Sequence, residues 1–144
     1  MAVYNKFQDF VEQLTRGVHA FATHTFRLAL TNTAPTATQV SFDNVTNHPP
    51  PAAANGYTTN GPTVTVSAVT ETTGTVRPFI TDVVYTATAG GIGPFRYVVL
   101  YNDTATSPAD ALVAWWDYGS SITLASGETF TVDFDGANGV FSLT

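Results

Sequence analysis

The chain has no cysteine. That removes disulfides, thiolate metal sites and a thiol nucleophile together, so stability has to come from packing and from association. Charge is scarce as well: Asp, Glu, Lys and Arg make up only 11% of the 144 residues, against about 25% in an ordinary globular domain. The five basic residues, Lys6, Arg16, Arg27, Arg77 and Arg96, are scattered, and the net charge is −6. Nothing in that pattern neutralises a phosphate backbone, so nucleic acid is not an expected partner. Long apolar runs are missing too. The opening stretch "MAVYNKFQDFVEQL" mixes charged and apolar residues, which fits neither a signal peptide nor a membrane span. The expectation is a chain made in the cytoplasm, with no membrane partner.

What is present is apolar and neutral-polar. Hydrophobic residues account for 44% of the chain, and Thr, Ser, Asn and Gly take the surface positions that Lys and Glu usually hold. A Thr-rich surface of low charge suits β-structure, and it suits a protein covered by neighbours in an assembly. The length fits one domain over residues 1–144, with no internal repeat and no linker.

The period of the hydrophobic pattern changes once. Phe7, Phe10, Val11, Leu14 and Val18 fall at the spacing of one helix face and predict an amphipathic helix within residues 1–20. Asn5 and Gln8 form a candidate capping pair, and Gly17 marks the stop. Tyr4, Phe7, Val11, Leu14 and Val18 also fit a heptad that would pair the helix with copies of itself. After residue 24 the period is two. "TFRLALTN" sets Phe26, Leu28 and Leu30 opposite Arg27, Ala29 and Thr31, and "PFRYVVLYND" sets Phe95, Tyr97, Val99 and Tyr101 opposite Val98 and Leu100. Apolar groups on both faces of the second run predict a central strand. "PFITDVVYTATA", "ALVAWWDY", "SITL", "ETFTVDF" and "GVFSLT" continue the series between Gly, Asn and Pro turn signals. The expected fold is mainly β: an antiparallel β-sandwich or barrel over residues 25–144 behind one N-terminal helix. Residues 32–62 are irregular, broken only by a candidate strand "VSFDNV". His48, Pro49, Pro50 and Pro51, followed by three alanines, predict a semi-rigid exposed arm.

No pattern of catalytic residues stands out. His19 and His24 do not share a helical face and have no carboxylate beside them as a third ligand, so a zinc site is not expected. No G-x-S-x-G occurs, and no histidine lies in the C-terminal two-thirds, which argues against a serine triad. Asp117, Glu128, Asp133 and Asp135 cluster late in the chain, and glycoside hydrolysis needs only two carboxylates. Asp117 and Asp135, however, lead into Gly-containing turns, where Asp acts as a turn former, and Asp133 lies among threonines. "DFDGANG" has the wrong spacing for a helix–loop–helix calcium site, and "GGIG" is followed by no helix that would receive a phosphate. The expectation is therefore no catalytic residue, no cofactor and no metal.

Trp115 and Trp116, the only tryptophans, are adjacent on an expected strand. Their rings must point to opposite faces, one inward and one outward. Tyr118 shares the face of Trp116. An outward aromatic pair is a candidate contact surface for protein or sugar, and protein–protein hot spots are rich in such residues.

Several stretches, "YNKFQDFVEQLTRGVH", "FRLALTNTAP", "NGYTTNG", "GGIGPFRYVVLYNDTAT" and "LVAWWDYGSSITLASGETFTVDFDGANGVFSL", together resemble small virion structural proteins of tailed bacteriophages. The likeness spans nearly the whole chain and is densest from Gly90 to Leu143. Its motifs are turns and strands, so it carries over no active site. It implies a β-rich, non-enzymatic decoration or cement protein, present in many copies on the outer surface of the capsid. Such a protein would form a homo-oligomer, commonly a trimer, bridge neighbouring major capsid proteins and stabilise the shell. The expected contact residues are Tyr4, Phe7, His48, Pro49, Pro50, Pro51, Trp115, Trp116 and Tyr118. The alternatives are a tail, connector or fibre protein of the same virion, and a carbohydrate-binding β-sandwich for host attachment.

Overall fold

A computed structural model describes residues 2–144. The chain is mainly β. Nine strands follow the order β1 (Tyr4–Lys6), β2 (Phe26–Thr31), β3 (Thr63–Val64), β4 (Val66–Thr72), β5 (Thr75–Ile80), β6 (Val83–Thr86), β7 (Ile92–Thr106), β8 (Ala109–Leu124) and β9 (Thr129–Val132), with one helix, α1 (Asp9–Thr15), between β1 and β2. All pairings are antiparallel. The main sheet runs β1-β8-β7-β2-β3; β6-β9 and the β4-β5 hairpin form separate two-stranded sheets. No helix among the described residues is long and apolar enough to cross a membrane.

The long β7–β8 pair is the centre of the main sheet, and apolar side chains leave it on both faces, as "PFRYVVLYND" predicts. One face builds the larger core, in which Phe26, Leu28, Leu30, Phe95, Val98 and Leu100 pack against Ile80, Val83 and Tyr85 from the smaller sheets. The other face carries Ala29, Val99, Tyr101 and Leu112, closed over by Phe7 and Phe42. Phe95 lies with Val98 and Leu100 rather than with Tyr97, Val99 and Tyr101, because the register shifts between Phe95 and Tyr97. A bulge adds residues out of step, so strict alternation fails across it. A second shift, between Leu100 and Tyr101, puts Val113 and Ala114 on the same side and leaves Leu112 and Trp115 together on the other.

Residues 32–62 do not project as an arm. They fold back over the outer face of the sheet: Phe42 stacks on Tyr101 at 4.2 Å and on His48 at 5.4 Å, and the Pro49 carbonyl accepts a hydrogen bond from the Thr31 hydroxyl at 3.0 Å. "VSFDNV" is not a strand; it contributes a single bridge, Ser41 to Ala111. The physical reason is the second apolar face of β7 and β8, which cannot stay wet and is large enough to hold an irregular segment.

The N-terminal helix is shorter than the pattern predicts. Tyr4, Asn5 and Lys6 pair with β8 as strand β1, so Asn5 caps nothing, and Gln8 occupies the cap position without a side-chain bond. Phe7 packs on the outer face while Phe10 enters the larger core; the chain wraps the sheet edge between them. Val11 is exposed and Gln13 buried, so the inward stripe is Phe10 and Gln13 with the half-buried Leu14. A seven-residue helix presents no heptad seam. Gly17 ends it at φ 78°, as expected. "PFITDVVYTATA" divides into β5 and β6, and "GVFSLT" lies along β5 through the Val76–Leu143 bridge.

Gly61 shows how tightly the irregular segment is seated. At φ +88°, a Cβ there would fall 2.0 Å from the Leu28 carbonyl oxygen, which already accepts the Tyr85 hydroxyl at 2.7 Å. Gly74 has a similar φ of +79° but open space around it. Replacing Gly61 by Ala should cost about 2–4 kcal/mol, whereas Gly74→Ala should cost only about 1 kcal/mol. Denaturant unfolding of the two variants measures the difference, and equal losses would show that the Leu28 contact is not restrictive.

Candidate functional site

The candidate site is an open cleft of about 710 Å³ at the edge of the sandwich. The main sheet ends on β1 beyond β8, and β9 lies over that end in the second layer. The cleft runs between them, lined chiefly by Tyr4, Val98, Trp116, Tyr118, Phe130 and Phe134. The rings meet edge to face. Trp116 lies 5.8 Å from Tyr4 and 5.6 Å from Phe134, and Tyr118 lies 5.6 Å from Phe130. Such contacts hold the aromatics in place; Tyr4, Trp116 and Phe130 stay half-buried while Phe134 is buried. Tyr118 is 53% exposed, and burial pushes the Tyr4 hydroxyl up to about 12, so it stays a neutral donor at ordinary pH.

The turn beyond Trp116 is fixed by an ion pair. Arg96 Nε and Nη2 donate to the two Asp117 carboxylate oxygens, each at 2.8 Å, and Asp117 Oδ1 also accepts the Gly119 N–H at 2.7 Å. Between the pairs Tyr97–Asp117 and Phe95–Ile122, β8 carries extra residues in a bulge. The clamp closes its base and starts Tyr118 out of the sheet. The guanidinium holds the Asp117 carboxyl below its usual range, so this group is not a proton donor near neutral pH. Asp135 is likewise a turn former: it accepts the backbone N–H groups of Ala137 and Asn138 and the Asn138 side-chain amide, which lower its pKa. Asp133 stands exposed on the cleft rim beside it.

Of the residues expected to make contacts, the structure brings three together: Tyr4, Trp116 and Tyr118 share the cleft. Trp115 points to the opposite face, as strand geometry requires, and packs on Phe7 at 4.5 Å. The division into one inward and one outward ring does not hold. Both tryptophans are half-buried, each against a different core. Phe7 and His48 are fully buried, Pro51 is buried, and Pro49 and Pro50 are half-buried, so this group forms packing rather than free surface. Sequence reasoning missed Phe130, Val132 and Phe134 as part of the site. Their shared face was legible in "ETFTVDF", but its position opposite β1 was not.

The histidines are structural. His48 Nδ1 accepts the Asp43 N–H at 3.3 Å, which leaves Nε2 to donate to Gln39 Oε1 at 3.1 Å. His19 and His24, separate in the sequence reading, converge on Asn102, whose amide nitrogen lies 3.4 Å from His19 Nδ1, 3.0 Å from His24 Nδ1 and 2.8 Å from the Val18 carbonyl. No group of three metal-binding side chains occurs among the described residues.

Comparison with protein-family models, characterised proteins and solved structures finds no match.

Burial lowers both His19 and His48 to about 4; the nearby His24 lowers His19 further, while Asp9 opposes the shift at His19 and Asp43 at His48. Each imidazole is then neutral in the folded chain but binds a proton near pH 6.5 when unfolded. Stability should be full above about pH 7 and fall as the pH drops from about 6.5 towards 4, by on the order of 2–3 kcal/mol for each histidine. Denaturant midpoints across that range measure it. His19→Gln and His48→Gln should each flatten the slope, and a slope unchanged in both would exclude these groups as its source.

Proposed function

We propose that this chain is a non-enzymatic structural protein of a tailed-bacteriophage virion, which binds the outside of the assembled capsid and stabilises it. The observation that carries the reading is the uncovered cleft. Its aromatic lining is held by edge-to-face contacts; of the two acidic residues that line it, Asp135 is committed to a turn and Asp133 stands exposed at the rim. This is the composition of a contact surface, with an aromatic centre and a polar margin. The sparse charge and the resemblance in the strands and turns support the virion setting. The partner is then the major capsid protein, with the chain itself acting as a homo-oligomer, a trimer in the simplest case. Repetition around a symmetric shell multiplies a modest interface into a large stabilisation.

Purified virions test this directly. Quantitative mass spectrometry should find hundreds of copies per particle, and labelled antibody should decorate the head. Tens of copies confined to the tail would assign the protein to a tail, connector or fibre role instead. Trp116→Ser should weaken binding to undecorated capsids at least tenfold without altering adsorption to cells, whereas loss of adsorption alone would favour a glycan-binding role.

A further inference from the structure

The cleft is bordered by two strand edges whose outward backbone groups have no strand to pair with among the described residues. On the second layer, the Ala87 N–H bonds to the Glu128 carbonyl in register with the β6–β9 ladder. Hydrogen-bonded pairs alternate along an antiparallel ladder. Phe130 and Val132 therefore exchange bonds with β6, and the N–H and C=O groups of Thr129 and Thr131 point away from it. β1 follows the same alternation. The Phe7 N–H bonds to the Val113 carbonyl, which continues the β1–β8 register; Asn5 then pairs with Trp115, and the backbone groups of Tyr4 and Lys6 point outward. Among the described residues neither β1 nor β9 has a second neighbour, and no Pro lies in either strand to blunt its edge. Tyr4 and Thr131 both line the cleft. An apolar floor between two open edges is the arrangement in which an extended segment adds as a strand, its backbone bonded to the edge and alternate side chains pressed into the floor.

Charge narrows the occupant. The cleft lining includes the carboxylates of Asp133 and Asp135 and no Lys or Arg; Lys6 is on β1 but outside the lining. With a net charge of −6 and five basic residues in all, a second copy of this chain is poorly matched to that rim. We propose that the cleft receives an extended segment of a different protein, with alternating apolar residues and a Lys or Arg beside them, which pairs with the free edge of β9. That the segment belongs to a capsid protein rests on the virion reading; the pairing chemistry does not.

The test uses the full chain, labelled with 15N, and as probe a synthetic heptapeptide alternating Val and Thr between terminal lysines. Binding should raise hydrogen-exchange protection of the Thr129 and Thr131 amides tenfold or more and shift their resonances, leaving the β6 amides unchanged. The same peptide N-methylated at alternate residues keeps its side chains but loses its donors, and should fail to protect. A Glu-flanked peptide should bind at least tenfold more weakly than the Lys-flanked one. Thr131→Pro removes one outward N–H and spares the bonds from Phe130 and Val132, so it should abolish protection while the β6 amides report an intact fold. No protection by the lysine-flanked peptide, or equal binding of the N-methylated or Glu-flanked form, would overturn the proposal. Concentration-dependent protection of the same amides without peptide would assign the edge to a second copy and overturn it equally. Failure here leaves the virion reading to be judged by copy number and position.

Discussion

The fold depends on one pair of strands that is apolar on both faces. β7 and β8 carry Phe95, Val98 and Leu100 to one side and Val99, Tyr101 and Leu112 to the other, and neither side can be left to water. The inner face recruits the smaller sheets and makes a sandwich. The outer face has no second sheet available, so Phe7 and the irregular segment through Phe42 and His48 cover it. A stretch of chain without regular secondary structure is thus anchored to the sheet through Phe42, His48, Pro51 and Tyr57, while most of its other residues stay exposed or half-buried. Its buried imidazole is met by a local bond from His48 to Gln39, and Asp43 closes an exposed turn by accepting the Val45 and Thr46 amides.

Several other buried polar groups tie crossing segments to the sheet. Asn102, on β7, reaches the Val18 carbonyl and both nearby histidines. Tyr57, in the irregular segment, accepts the Leu30 N–H of β2, Tyr101 of β7 donates to the Asn60 carbonyl in that segment, and Tyr85 joins the two layers through the Leu28 carbonyl. Burial raises the Tyr57 hydroxyl to about 12 and Tyr85 well above its ordinary value, so these bonds persist across the accessible pH range. In a chain with no disulfide, such bonds give register to packing that hydrophobic burial alone would leave degenerate.

The cleft is a consequence of unequal layers. The main sheet has five strands, while the facing β6-β9 sheet has two, so the second layer stops short over β8 and β1. At that boundary the bulge in β8 lifts Tyr118 out of the ladder, with the Arg96–Asp117 pair closing its base. Tyr4, Trp116 and Phe130 are half-buried there and Tyr118 is exposed, while Phe134 is buried beneath them. The same mismatch leaves the edges of β1 and β9 unpaired beside them, and so places apolar surface and free backbone groups in one place.

Much of this was legible in the sequence. Period two after residue 24, the two-faced character of "PFRYVVLYND", the stop at Gly17, the opposite orientation of Trp115 and Trp116 and the turn roles of Asp117 and Asp135 all follow from local geometry, which neighbouring residues set between themselves. What the sequence alone could not decide was whatever depended on distant partners. Whether Tyr4–Lys6 is helix or strand turns on the open edge of β8, more than a hundred residues away, and its pairing overrides the helical spacing of Phe7 with Val11. Whether His48 and the prolines stand out or fold in turns on an apolar face waiting to be covered. Phe95 changes sides because a bulge, specified by cross-strand register, breaks the alternation. The cleft itself belongs to no segment: it exists because two layers of different width meet, and only the tertiary structure sets where the narrower one ends.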